Sequence, residues 1–490
     1  MKGTALTLAL VSTPREIASQ LATSTLLEKA PVASSLARAF SEAGFTLALV
    51  GGPVRDAILG RLGNDLDFTT NARPEATKKI LKVWADSIWE TGAAFGTIAG
   101  KKGDVTVEVT TYRSENYDPQ SRKPEVNFGD SIEGDLSRRD FTINCLALEL
   151  TKEKPEFIDL FNGVEDLAKK VLRAPGDPDV LFGDDPLRMM RAARFVAQLG
   201  FTVDETIVES MKRMAERITI VSAERVHDEL IKLLMSPNPR LGLALMVETG
   251  LAKYVLPELP QLKLEVDEHH HHKDVYEHTL TVLEQAIALE DRLGGPNLVI
   301  RLAALLHDIG KPKTRELIPG GGVSFHHHEV VGSRMTKERL RALRFDNQTI
   351  SDVSQLVFLH LRFHGYAGGE WTDSAVRRYV RDAEDLLEHL HVLTRADCTT
   401  RNQRKAAALA ATYDSLEERI SRLKEEEELN AIRPDVDGNE IMKILGIPAS
   451  PLVGKAYNYM LELRLEHGPL GEERAKRELI QWWEENAPKK

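Results

Sequence analysis

The sequence predicts an α+β protein, a mixed-sheet head followed by an almost wholly helical remainder, on three observations. Short β-rich runs alternate with helical patterns over residues 34–150: TLALVGG, NDLDFTT, GTIAG, DVTVEVTTYR and then CLALEL. From about residue 180 the strand signals fade, and helical stretches such as DDPLRMMRAARFVAQLGF and AERVHDELIKLLMS dominate, with Pro and Gly at the joints. The chain has 490 residues, and at roughly 150 residues per domain that suggests about three folding units.

Taken in order, residues 1–33 read as an N-terminal extension and 34–175 as the sheet-bearing head. Residues 176–260 read as a helical neck, 261–400 as a further helical domain, and 401–490 as a helical C-terminal region. The apolar run ALTLALV at 5–11 is too short to span a bilayer, which takes about 20 residues, so no membrane association is expected. The HHHH run at 269–272 is internal and reads as native surface. LEERISRLKEEEEL at 416–429 holds too few heptads for a coiled coil and reads as a solvated helix.

Hydrophobic residues make up 42% and charged residues 28%, ordinary globular usage that excludes wholesale disorder and a membrane-embedded chain. Cys145 and Cys398 form no CxxC pair, so a disulfide framework and a thiolate zinc site are both unexpected, and a reducing cytoplasm is the expected location. Sixty-four basic against seventy-five acidic residues give a net charge of −11, which argues against a generic polycation coating nucleic acid. A local basic groove remains compatible with that balance.

Chemistry concentrates first in LVGGPVRDAILGRLGNDLDFTT. An apolar strand ends at Gly51 and Gly52, and Pro53 suits the first turn of a helix. Glycines remove the Cβ that would block close approach of a phosphate, and Arg55 adds a fork of donors. Alone, such a pair is equally an ordinary strand-to-helix turn. Further along, Asp65-Leu66-Asp67 lies in an apolar strand, whose period of two puts both carboxylates on one face. Two like charges so close call for a cation such as Mg²⁺. Glu108, flanked by Val107 and Val109, offers a third acid on a neighbouring strand.

This pattern resembles the polymerase-β-like nucleotidyltransferases, and specifically the bacterial tRNA nucleotidyltransferases of the CCA-adding and poly(A) polymerase group. VEVTTYR, SRRDFTINCLAL and DDPLRMMRAARF continue the match in order over about 160 residues. The resemblance implies a polymerase-β-like head in which Asp65, Asp67 and Glu108 carry catalysis through Mg²⁺. It implies that Gly51, Gly52, Arg55 and Arg139 of the Arg138-Arg139-Asp140 motif bind nucleotide. Arg188, Arg191 and Arg194 recur every third residue and form one helical stripe. Family resemblance makes Asp185 and Arg188 readers of the base edge, with Arg191 and Arg194 beside them. Asp184 stands where glutamate is usual in the family. The implied function is template-independent addition and repair of the 3′-terminal CCA of tRNA from CTP and ATP, with release of pyrophosphate. Two alternatives share the chemistry. NARPEATKKILKVW lacks the basic RRF-like stretch of poly(A) polymerases, and the loop YRSENYDPQSRKPEVNFGDS, with Arg113, argues against C-only addition without excluding A-only addition.

A second constellation lies in the helical half: His278 in VYEHTLTVL, adjacent His307 and Asp308 in RLAALLHDIGK, and Asp397 in LTRADCTTRN. This order resembles the HD metal-dependent phosphohydrolases, which implies a site for a divalent transition metal, whose imidazole and carboxylate ligands suit it better than Mg²⁺. His328 and His360 extend the set to six, though His326, His327 and His364 are alternatives, and either could instead cap a helix or face RNA. Activity on a phosphomonoester or a 2′,3′-cyclic phosphate stands beside a degenerate HD fold that only shapes a tRNA groove. A phosphohydrolase as the main activity is the remaining alternative.

Overall fold

The computed structural model describes residues 13–90, 92, 96–129 except 117–124, 131–264, 274–317, 323–363, 366, 371–400, 402–427 and 433–487. The apolar run at 5–11, the HHHH run, His364 and the centre of the loop after Arg113 lie outside these residues. Two compact units are formed, residues 1–255 and 256–490.

The first unit is built on a seven-stranded sheet. Its strands are β1 (Leu47–Val50), β2 (Asp65–Thr70), β3 (Ser87–Trp89), β4 (Thr97–Lys102), β5 (Val105–Thr111), β8 (Leu146–Glu149) and β9 (Glu156–Asp159). They stand in the order β3-β4-β5-β2-β1-β8-β9. Only β2 and β5 pair in parallel, so the sheet is mixed as expected. A separate hairpin joins β6 (Arg113–Asn116) to β7 (Glu125–Phe128).

Alternation along the strands gives the sheet two different faces. Leu47, Leu49, Leu66, Phe68, Val107 and Val109 point into one hydrophobic core together with Leu36, Phe40 and Leu81. Leu36 and Phe40 come from α2 (Val32–Glu42), and Leu81 comes from α4 (Pro74–Trp84). Each such side chain contributes about 1.5–3 kcal/mol by leaving water. The segment expected as an extension supplies α1 (Pro14–Lys29), whose Ala18, Ala22 and Leu26 join that core. Its start is fixed by a capping box: Thr13 Oγ1 accepts from the Glu16 N–H, and the Glu16 carboxylate accepts from the Thr13 N–H. On the other face Ala48, Val50 and Ala147 pack against Leu136, and the carboxylates Asp65, Asp67 and Glu108 share this side.

The rest of the first unit is helical: α3 (Gly52–Ile58), α5 (Ile132–Ser137), α6 (Gly163–Lys169), α7 (Pro178–Asp184), α8 (Leu187–Leu199), α9 (Glu205–Met214), α10 (Ala223–Leu234) and α11 (Pro239–Glu248). A two-residue strand Thr202–Val203 pairs in parallel with Val171–Leu172, a small addition to an otherwise helical neck. Arg194 Nε donates to Glu229 at 2.6 Å, both groups being buried, and so ties α8 to α10.

Among its described residues the second unit is helical apart from the two-residue pair Glu316–Leu317 and Val323–Ser324. Helices Val275–Ala288, Leu298–Leu306, His328–Ala342, Asn347–Leu359 and Leu387–Ala396 form its first part. Helices Gly438–Leu445, Pro451–His467 and Glu472–Asn486 enclose a separate small core of Ile441, Ala456, Met460 and Leu479. Among the described residues no helix is long and apolar enough to cross a membrane.

Candidate active site and candidate metal centre

The glycine turn after β1 is required by its geometry. Gly51 has φ +72°, and a Cβ there would lie 2.7 Å from Nη1 of Arg139. A side chain would therefore be strained and would displace the arginine. β2 runs beside β5 in a register that pairs Asp67 with Glu108, and both line a cavity of about 650 Å³. Asp65 sits on the same face at the start of β2, exposed and outside the lining. Burial, the neighbouring Glu108 and then Asp65 push the Asp67 carboxyl up to about 6, against the opposing pull of Arg139 and Arg191. Carboxylates gathered on one face suit a divalent cation, and Asp65, Asp67 and Glu108 are the residues that would hold one.

Around these acids the cavity is lined with arginines. Arg55, at 7% exposure, is largely engaged already: Nη1 donates to Asn144 Oδ1 at 2.6 Å, while Nε and Nη2 donate to Asp56. Its fork therefore braces the turn rather than standing free. Arg138 and Arg139 both pair with Asp135, a fully buried carboxylate three and four residues earlier. Burial works to raise the Asp135 carboxyl, but Arg139 and Arg138 outweigh it and hold the group low. Asp140 accepts from Asn144 Nδ2 at 2.9 Å and from Arg191 Nε at 2.7 Å.

Helix α8 presents Arg188, Arg191 and Arg194 to the same cavity, as their spacing predicts. Phe195 packs beneath the guanidinium groups of Arg55, Arg191 and Arg194, with Arg194 4.2 Å from its centroid. Asp185 caps α7 and accepts from the Leu187 N–H and from Arg225 Nη2 at 2.8 Å. Arg188 donates to the Leu181 and Arg138 carbonyls. Sequence reasoning missed Asp135, Asn144, Phe195 and Arg225; the spacing of Asp135 from the arginine pair was the one available signal.

In the second unit six side chains converge. His278, His307 and Asp397 have ligand atoms within 4.8 Å of one another, and so do Asp308, His328 and His360. The head's three carboxylates do not form a third such group among the described residues. His278 Nε2 lies 3.0 Å from Asp397, His307 Nε2 3.1 Å from Asp308, and His328 Nε2 3.3 Å from Asp308. Their outer nitrogens are held: Nδ1 of His307, His328 and His360 faces the carbonyls of Ala304, Phe325 and Val357, and that of His278 faces Thr399 Oγ1. Donation from Nδ1 leaves the Nε2 lone pair aimed inward, as metal ligation requires. The Nε2 atoms of His328 and His360 are buried without a hydrogen-bond partner. Burial, then the neighbouring His307 and His328, push His360 down to about 3, which keeps it neutral. These donors fit a divalent transition metal. His326 and His327 point to solvent and take no part. Gly310 permits the convergence, since a Cβ there would fall 2.1 Å from the His328 carbonyl oxygen.

Residues 47–173 match the Poly A polymerase head domain, 200–262 the probable RNA and SrmB-binding site of polymerase A, and 275–402 the HD domain. An A-adding tRNA nucleotidyltransferase of Deinococcus radiodurans is 32% identical over 448 residues, covering 90% of this chain and 96% of that protein. The chain belongs to the tRNA nucleotidyltransferase family. A second family member, the CCA-adding enzyme of Lactobacillus helveticus, is 41% identical over 215 residues, 44% of this chain and 52% of that enzyme, so the matched part spans about half its length. The crystal structure of the Bacillus stearothermophilus CCA-adding enzyme in complex with CTP superposes with a TM-score of 0.68 at 24% identity, covering 92% of this chain and 97% of that one. That likeness shows the shared fold of the tRNA nucleotidyltransferases, mixed-sheet head and helical remainder alike.

Proposed function

We propose that this tRNA nucleotidyltransferase adds and repairs the 3′-terminal CCA of tRNA from CTP and ATP in the cytoplasm, releasing pyrophosphate. The observation that carries this reading is that Asp185 and Arg188 line the same cavity as Asp67 and Glu108. A carboxylate acceptor and a guanidinium donor are thereby offered together at one reacting centre. A carboxylate accepts from the exocyclic amine that cytosine and adenine share, and a guanidinium donates to ring and carbonyl acceptors. Protein side chains so take the place of a template. The domain boundaries proposed are those read from the sequence, save that Pro14–Lys29 belongs with the head whose core it joins, with base selection in the neck.

In the reaction the acceptor's 3′-oxygen forms a bond to the α-phosphorus as the bond to pyrophosphate breaks. Mg²⁺, held by Asp65 and Asp67, would supply charge stabilisation for the entering and leaving oxygens. Glu108 orients the attacking hydroxyl, while Arg139, with Gly51 and Gly52, receives the triphosphate. Incubation with a tRNA lacking its last three nucleotides, with CTP, ATP or both, followed by sequencing of the product ends, tests the proposal. Ordered C, C, A supports it; long A tails would instead identify a poly(A) polymerase.

The match to the Deinococcus A-adding enzyme over 90% of this chain favours a second reading, A addition to a CC-ended tRNA. Incorporation of A into a CC-ended tRNA, with no addition to the tRNA lacking all three nucleotides, would establish it. For the second unit the six converging ligands support a metal-dependent phosphohydrolase acting on phosphomonoesters or 2′,3′-cyclic phosphates.

A further inference from the structure

Beside the carboxylates of the head the sheet carries a row of threonines that no step above uses. Register fixes the pattern. Asp67 of β2 pairs with Glu108 of β5, which pairs with Ala99 of β4. One pleat further along, Thr69 pairs with Thr110, and Thr110 with Thr97. Paired residues share a face, so Thr110 and Thr97 stand on the same side as Asp67 and Glu108, about 6.7 Å along the strands from them. Both line the catalytic cavity, and their Oγ1 atoms lie 2.9 Å apart. Thr69 is turned away from such a role, because its hydroxyl donates to the Thr110 carbonyl and is buried.

The direction of this row matters. β1 is antiparallel to β2, pairing Leu47 with Thr70 and Leu49 with Phe68, so its end and the Gly51–Gly52 turn lie toward the Asp65 end of β2. A triphosphate held at that turn carries its leaving pyrophosphate on the Asp65 side. In-line displacement then brings the attacking oxygen from the opposite side of the α-phosphate, which is where Thr97 and Thr110 stand.

The chemistry of the pair suits a sugar better than a phosphate. Within it one hydroxyl donates to the other, and among the described residues the second hydroxyl hydrogen has no acceptor. A neutral surface offering one free donor and spare lone pairs, set among arginines that serve anions, matches a ligand hydroxyl. We infer that Thr97 and Thr110 bind the 2′-hydroxyl of the acceptor RNA's terminal ribose and so place its 3′-hydroxyl at Glu108 and Asp67. This inference rests on the reading of the head as an RNA-extending site built on those carboxylates.

The test compares two acceptors, a tRNA ending in a ribonucleotide and the same tRNA ending in a 2′-deoxyribonucleotide. With the wild type, the deoxy end lowers kcat/KM. Thr110→Val and Thr97→Val each lower kcat/KM for the ribo-ended acceptor by about 10-fold, the worth of one hydrogen bond. They cause no further loss with the deoxy-ended acceptor, and KM for the nucleotide is unchanged. Thr110→Ser and Thr97→Ser keep the hydroxyl and retain the discrimination, which preserves the test should a valine variant fail to fold. An equal loss on both acceptors, a loss confined to the nucleotide's KM, or a wild type indifferent to the terminal 2′-hydroxyl would overturn the inference. Failure of the wild type to extend either acceptor would overturn the underlying reading and the inference with it.

Discussion

Single side chains in this protein are placed by constraints that pairwise spacing reveals only in part. Gly51 was legible because a GG pair before a helix suggests a turn, but the reason no other residue serves there is Arg139, 88 positions later, against which a Cβ would lie at 2.7 Å. Gly51→Ala should therefore leave the sheet folded while lowering kcat/KM for nucleotide addition by at least about 10-fold, since left-handed backbone costs about 1–2 kcal/mol before the arginine moves. Asp140 gives a prediction in pH. Burial works against its ionisation, yet the Arg191 charge and the hydrogen bonds from Asn144 and Arg191 hold it at about 2, below the usual 3.8. Its folded value is depressed, so its contribution of about 2 kcal/mol is complete above about pH 4 and is lost as pH falls towards about 2. Urea unfolding of the wild type and Asp140→Asn should differ by a constant amount from about pH 5 to 7, with the gap closing below about pH 4. Asp135 escaped notice in the sequence because an acid on a short helix, here beside Glu133, reads as solvated, and only the fold shows that it is fully buried.

At the level of elements, strands of six or seven residues with clear alternation, β2 and β5, were visible in sequence, and so was the arginine stripe of α8. The three-residue β3 and four-residue β9 were not, since so few residues carry no period and are fixed by pairing at the sheet edges. Nor does sequence reveal which helices share a buried ion pair. Arg194 and Glu229 hold α8 to α10, and removing one partner strands the other's charge out of water. Glu229→Leu is expected to destabilise the protein by about 3–5 kcal/mol, read from the urea midpoint at constant m-value.

The proposed function puts two chemistries on one chain, each with its own acids. Asp67→Ala should abolish nucleotide addition and leave phosphatase activity, while Asp308→Ala should do the reverse; loss of both activities in both variants would end the two-site reading. Metal binding offers a test without turnover. Mn²⁺ or Ni²⁺ at about 100 times its dissociation constant should stabilise the protein by about 2.7 kcal/mol, seen as a raised melting temperature that Asp308→Ala removes. The histidine and aspartate order suggested four ligands firmly; His328 and His360 became distinguishable from their neighbours once helix His328–Ala342 and helix Asn347–Leu359 had turned them inward.

One feature of the head sets how an RNA would arrive. The cavity is lined by Arg55, Arg113, Arg138, Arg139, Arg188, Arg191, Arg194 and Arg225, while the chain as a whole carries a net charge of −11. At physiological ionic strength a charge is felt over about 8 Å, so a polyanion approaching from afar meets a weakly repelling body and meets the arginines only on contact. Such a protein gains little from electrostatic steering and holds its ligand by short-range pairing. Added salt should therefore shorten the lifetime of the RNA complex without slowing its formation, so that stopped-flow traces show the dependence almost entirely in the dissociation phase.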